Sequence, residues 1–311
     1  MTALHNMLDA LNAAFADAAL LEDRSIAHAV IDGQDVLSAN EVAGVHFDAA
    51  TQGQALAITL TVDAGAKIAS PLHLCVGMLS AEGSQRIKLK LHVESHAQLS
   101  LLAHCIFPNA HHSEHAMDAE VDIAEGAQLL YSEGHYHGPF AGIEVSPRAV
   151  IRLGAGAYCR SDFSLTKGNV GDLAIDYVIH CAADAVAEMT SRVFGHNHDR
   201  IHITEELILA GTDSRGLLKT RVALENQSSS EVINITHGRA QGARGHMDCL
   251  EIIRDRAIAT AEPIVKVSHP GAKITHEAAV GTVDQGQLET LMSRGLTPEQ
   301  AVDVVITGIL R

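Results

Sequence analysis

The spacing of hydrophobic positions changes period twice along this chain. Near the amino end Met7, Leu8, Leu11, Ala14, Phe15, Ala18 and Leu21 recur at intervals of three and four. That spacing gathers them on one face and predicts an amphipathic helix. From about Asn40 the period falls to two, and the run Ala55-Leu56-Ala57-Ile58-Thr59-Leu60-Thr61-Val62 alternates as a half-buried strand does. The strand regime holds to about Gly281, where the helical period returns. Asp284 to Arg294 predicts a short helix closed by Gly295 at the C′ position. Thr297-Pro298-Glu299-Gln300 then supplies an N-cap, a proline at the first helical position and a Gln three residues on, a capping box. Ala301, Val302, Val304, Val305, Ile306, Ile309 and Leu310 follow it. Two short helices cannot bury that much aliphatic surface between themselves, so they are expected to pack on the end of the β region, on a partner, or on both.

A weak internal repeat runs through the strand region. Val62-Asp63-Ala64-Gly65-Ala66-Lys67-Ile68 matches Val93-Glu94-Ser95-His96-Ala97-Gln98-Leu99 and Ile123-Ala124-Glu125-Gly126-Ala127-Gln128-Leu129. Val145-Ser146-Pro147-Arg148-Ala149-Val150-Ile151 matches less well. The shared form is a strand end, a tight polar turn, an Ala and a new strand. Stacked β-coils repeat in this way, because one coil cannot bury its inner face without neighbours. The reading favoured is a β-helix or related solenoid; the alternative is a sandwich with similar hairpins.

Composition narrows the function. The 311 residues are enough for one large domain, and 47% of them are hydrophobic, so a sizeable core is available. There are only 6 Phe, 4 Tyr and no Trp, so Ala, Val, Ile and Leu must fill that core in thin layers. A formal charge of −16 opposes binding to nucleic acid or to anionic membrane surfaces. No run is apolar enough to span a bilayer, and the start lacks the pattern of a signal peptide. Cys75, Cys105, Cys159, Cys181 and Cys249 form no CxxC pair and read as reduced thiols, so a cytoplasmic location is expected.

The motifs carry less. Gly211 to Thr220 superficially resembles a phosphate-binding loop, but two leucines separate Gly216 from Lys219, so ATP hydrolysis by this chain is not expected. Histidines cluster at His111-His112-Ser113-Glu114-His115, His135-Tyr136-His137 and His196-Asn197-His198. Two His at i, i+2 share a strand face, so metal binding is sterically possible. The first cluster is expected on a solvated loop after Pro108, the others on turns. Cys75, Cys159 and Cys181 sit in apolar or small surroundings and read as buried hydrophobes; Cys105 is equivocal. Cys249 lies among polar residues, with His276 and Glu277 later in the chain. Thiolate, imidazole and carboxylate are the side-chain ligand types for iron or zinc, although this spacing alone means little.

The last seventy or so residues are what give that grouping weight. Gly238-Arg239-Ala240, Gly245-His246-Met247-Asp248-Cys249, His276-Glu277-Ala278-Ala279-Val280-Gly281, Gln287-Leu288, Leu291-Met292-Ser293-Arg294-Gly295-Leu296 and Pro298 to Gly308 together resemble the SufB/SufD family of iron–sulfur cluster assembly scaffolds. The resemblance implies a mainly β fold, a right-handed parallel β-helix core with short helical segments at both ends. It also implies dimerisation through the β-helix and docking of a SufC-like ABC ATPase on the C-terminal helices. Cys249 falls on the cysteine that SufB proteins place at the dimer interface, and His276 and Glu277 on that family's His-Glu pair. Thr275 stands where SufB has an acidic residue, and the spacing from the Cys is one residue shorter.

These readings give a division into 1–40 as an N-terminal helical segment, 41–275 as the β-helix core and 276–311 as a C-terminal helical segment for ATPase docking. The expected function is that of a non-enzymatic scaffold: a homodimer builds a transient iron–sulfur cluster on Cys249, His276 and Glu277 and passes it to apo-proteins. Arg244, Arg254 and Arg256 are expected to favour the Cys249 thiolate. The alternatives are a SufD-like adaptor without its own cluster, or a metal-dependent β-solenoid enzyme built on a histidine cluster.

Overall fold

In the computed structural model, residues 2–14, 18–140 and 142–311 are described. Two sheets face one another across a narrow interior, and the chain passes from one to the other at each half-coil. The first sheet runs, neighbour to neighbour, Asp35–Asn40, His28–Asp32, Leu72–Gly77, Gln98–Phe107, Gln128–His137, Tyr158–Leu165, Val186–Gly195, Arg215–Leu224, Arg244–Ile253 and Lys273–Gly281. The second runs Val45–Gln52, Ala55–Val62, Glu82–Val93, His112–Ile123, Ile143–Leu153, Asp172–Cys181, Arg200–Leu209, Ser229–Gly238 and Ile258–Val267. The result is a parallel β-solenoid of about 8 turns. Strands at the amino end are antiparallel: His28–Asp32 with Asp35–Asn40, and Val45–Gln52 with Ala55–Val62. All later pairings are parallel. Strand residues thus begin at His28 and end at Gly281, inside both of the segments expected to be helical.

The register shows how the sequence builds a coil. Arg215 pairs with Arg244, and Arg244 with Lys273, so one turn takes about 29 residues. At one corner a residue with positive φ recurs on seven successive rungs: Gly65, His96, Gly126, Gly156, Asp184, Asp213 and Gly242. Each donates its backbone N–H to the next rung, as in Gly126 N to Ala155 O at 2.9 Å and Asp184 N to Thr212 O at 2.8 Å. The following residue is small and fully enclosed: Ala97, Ala127, Ala157, Ala185, Ser214, Ala243. A larger side chain there would hold successive coils apart. Val145 to Ile151 is not such a corner. It lies within the strand Ile143–Leu153, and the true corner of that coil is Leu153-Gly154-Ala155-Gly156-Ala157.

Alternation sends every second side chain inward. Leu89, Leu91, Ile151, Leu153, Ile175, Ile179 and Ile203 fill the interior, with Phe107 and Phe163 the largest fully buried side chains. Helix α1 (Ala3–Ala14) lays Met7 and Leu11 on the outside of the first sheet, over Val30, Cys75 and Ile106. Phe15 of the expected face lies outside the described residues. At the other end come α2 (Gln285–Met292) and α3 (Pro298–Ile309), the latter with the expected capping box between Thr297 and Gln300. Helix α3 buries Ala301 and Ile306, and contacts of Asp303 with Arg254 (3.8 Å) and of the Arg311 carbonyl with Arg192 (3.2 Å) tie its region to the first sheet. Val304 on α3 and Met292 on α2 remain exposed. No helix among the described residues is long and apolar enough to cross a membrane.

Candidate functional site

The carboxyl end of the solenoid carries the expected site residues. Cys249 is an inward residue of Arg244–Ile253 and is 3% exposed. Its neighbours in register are Thr220 on one side and Ala278 on the other, so the thiol sits one rung below the last strand. His276 stacks on Met247 and shares the inner-facing side with Cys249, yet is exposed because no further rung covers it. Glu277 stacks on Asp248 and so faces the opposite side of the sheet. The chain therefore brings a thiol and an imidazole to one face and turns the carboxylate away.

Polar side chains line the interior beneath Cys249. Glu205, fully buried, accepts hydrogen bonds from Ser191, from Thr220 Oγ1 (2.9 Å) and from Asn234 Nδ2 (2.9 Å). Burial raises its pKa against those bonds. Glu251, two residues beyond Cys249 on the same face, accepts from Ser230, and burial pushes its carboxyl up to about 7. The Cys249 thiol is pushed up to about 12 by burial and by Glu251 and Glu205. The cation acting against them is Arg221, held by Asp248, rather than the expected Arg244, Arg254 or Arg256; Arg254 is engaged by Glu225. Burial, with the acidic groups around it, therefore favours the protonated thiol.

Other expectations meet the structure differently. Cys75, Cys159 and Cys181 are buried, as expected of small hydrophobes. Lys219 lies within a paired strand, not in a phosphate-binding loop. His111 and His112 are exposed, but His115 is fully buried on the inner face of its strand, and so are His135 and His137. The loop and turn placements fail for these three because strand alternation continues through them. The strands Arg215–Leu224 and Ser229–Gly238 are paired on each side and are not edges. The outermost strands at this end are Ile258–Val267 and Lys273–Gly281, which expose Ile258 (67%), Val265, Val267 and Val280. Sequence reading missed these edges, although strand regularity ends at the helix-forming run after Gly281.

Residues 78–309 match the family model described as the SUF system FeS cluster assembly, SufBD core domain. An iron–sulfur cluster assembly SufBD family protein of Methanocaldococcus jannaschii is 35% identical over 252 residues, covering 81% of this chain and 79% of that protein. A relative of the same description from Pyrococcus horikoshii is 29% identical over 294 residues, covering 94% and 89%. A chloroplastic SufBD family protein of Arabidopsis thaliana is 28% identical over 210 residues, covering 63% and 37%. With a parallel solenoid, terminal helices and a family match across three quarters of its length, this chain belongs to the SufBD family of iron–sulfur cluster assembly proteins.

Proposed function

We propose that the chain is a scaffold subunit of a SUF-type assembly complex, building an iron–sulfur cluster as cargo at a homodimer interface and passing it to apo-proteins. The observation that carries this reading is the position of Cys249: a thiol on the inner face, one rung from the open carboxyl end of the solenoid. Pairing of two such ends would bring two Cys249 and two His276 side chains into one enclosure. Thiolate binds iron and bridging sulfide firmly, whereas imidazole and carboxylate are exchangeable, which suits a cluster that must leave. Glu277, on the other face, would serve as an outer ligand during transfer.

The chemistry of ATP belongs in this reading to a separate SufC-like ATPase, docked on α2 and α3, whose exposed Met292 and Val304 await a partner. The chain itself is then not an enzyme, and the complex works in the cytoplasm. Nucleotide binding to the ATPase would shift the scaffold between closed and open interface states by differential affinity. Anaerobic reconstitution with iron and sulfide tests the proposal. The parent dimer should develop the visible absorption of a cluster, and the Cys249→Ser chain should not while keeping its β-rich circular dichroism. Equal clusters in both chains would sink the site assignment.

A further inference from the structure

A second group of ligand-type side chains is enclosed much deeper in the solenoid, far from the carboxyl end. Cys105 and His135 occupy the same register position on neighbouring strands of the first sheet, and both point inward. His115 comes from the second sheet and meets them across the interior. The three offer one ligand atom each, all within 4.8 Å of one another, and all three residues are buried. Zinc-type bonds of ~2.0–2.3 Å place tetrahedral donors roughly 3.3–3.8 Å apart, so side-chain adjustments of about 1 Å close the set.

The hydrogen bonding of these residues is incomplete in a specific way. Neither ring nitrogen of His115 has a partner, although the residue is 0% exposed. His135 donates Nε2–H to Glu133 Oε1 at 2.8 Å and leaves Nδ1 unpartnered. An orphaned buried nitrogen is costly, and three at one place call for an explanation. A buried ring that pairs one nitrogen with a carboxylate and leaves the other unpartnered has the hydrogen bonding of a metal-ligating histidine. Glu133 is itself fixed by Tyr131 Oη at 2.7 Å and Tyr177 Oη at 3.2 Å.

We propose that Cys105, His115 and His135 form a resident site for one divalent transition-metal ion of the zinc or ferrous class. A divalent ion, the Cys105 thiolate and the Glu133 carboxylate sum to zero charge, which removes the penalty of a lone buried anion. On binding, the thiol proton leaves with solvent and a sulfur–metal bond replaces it. Sulfur and imidazole donors select such ions over Mg²⁺ or Ca²⁺. The ion would also tie the two sheets together across the interior. This site is independent of the cluster-assembly reading, since it uses neither Cys249 nor the open end.

The test uses the full-length chain with Cys249→Ser, which removes the other candidate thiol ligand. Produced in minimal medium supplemented with Co²⁺ and then dialysed, it should retain about one ion per chain. It should show thiolate-to-cobalt charge transfer in the near ultraviolet and tetrahedral bands in the visible. Adding Cys105→Ser should abolish the charge-transfer band. Glu133→Gln, which keeps an acceptor for His135, should weaken retention by roughly 10–100-fold. Retention of less than about a tenth of an ion by the folded Cys249→Ser chain overturns the proposal, whatever the further variants do. So does bound cobalt without a thiolate band, or a band that survives Cys105→Ser.

Discussion

Cys249 and Glu277 lie on adjacent strands but point to opposite faces of the first sheet, because Glu277 stacks on Asp248 while Cys249 stacks on Ala278. The two residues should therefore separate functionally. Cys249→Ser is expected to abolish cluster formation, whereas Glu277→Ala should leave formation intact and speed the loss of cluster to a chelator. Cys75, under α1 on the outside of the sheet, provides the control, and Cys75→Ser should change neither rate. Timed absorbance after chelator addition checks all three. A Glu277→Ala chain that forms no cluster would place the carboxylate in the site itself.

The proposed dimerisation through the carboxyl end should depend on the uncovered edge strands. Exposed Val267 and Val280 lie on Ile258–Val267 and Lys273–Gly281, and lysine on an edge strand opposes pairing with another chain. Sedimentation of the Val267→Lys, Val280→Lys double variant should show a monomer at concentrations where the parent is a dimer. A comparable substitution at Val36, exposed on the outermost strand of the first sheet at the amino end, should leave the dimer intact.

Removing residues 284–311 deletes α2 and α3 and no strand. Pull-down of a SufC-like ATPase should be lost, and the β signal in circular dichroism retained. Undiminished binding by the truncated chain would move the docking surface elsewhere.

Glu251 gives the fold a pH dependence with a definite sign. Its folded-state pKa, raised to about 7 by burial, exceeds the ordinary glutamate value of 4.5 that holds in the unfolded chain. Its contribution to stability is complete below that value and is lost as pH rises through 7, since the unfolded chain ionises first. The shift corresponds to on the order of 3 kcal/mol. Urea denaturation between pH 4.5 and 7.5 should show this loss in the parent, and Glu251→Gln should flatten that part of the profile.

The corner ladder predicts a local backbone cost. Gly126 has φ of +63°, and a Cβ there would lie 2.4 Å from His96 Nδ1. The His96 ring can swing aside, so the left-handed backbone sets the penalty, about 1–2 kcal/mol for Gly126→Ala. A chain of this size should then melt roughly 2–8 °C lower. Ala127→Leu, at an enclosed position between coils, should cost more than the glycine change.

Legibility in the sequence followed how local each signal was. The capping box of Thr297 and Gln300 is four residues long and reads directly. So does the Gly126-Ala127 corner, because φ and Cβ size act on single residues. The Ala155-Gly156-Ala157 corner is hidden by Val145 to Ile151, where apolar alternation inside a strand imitates the repeat. The metal-type cluster was obscured in another way. His135 and His137 draw attention as i, i+2 neighbours, yet the partner of His135 is Cys105, one whole coil earlier, and His115 from the facing sheet. Such contacts are fixed by register and by the separation of the sheets, neither of which a local window contains. The same holds for Cys249, whose polar sequence neighbours His246 and Asp248 suggest exposure although they project to the other face.

The solenoid also works as a ruler. Five strand-to-strand steps along the first sheet separate the rung of Cys105 from that of Cys249. At about 4.8 Å a step, the two thiols stand about 24 Å apart along the axis. Because each coil repeats the same corner and the same inward alternation, gain or loss of a whole coil between them would change that length by one step. Neither thiol would leave the interior. Distance between the two chemistries is thus quantised, whereas a single inserted residue within a strand would flip the side chains beyond it and silence the thiol on that strand.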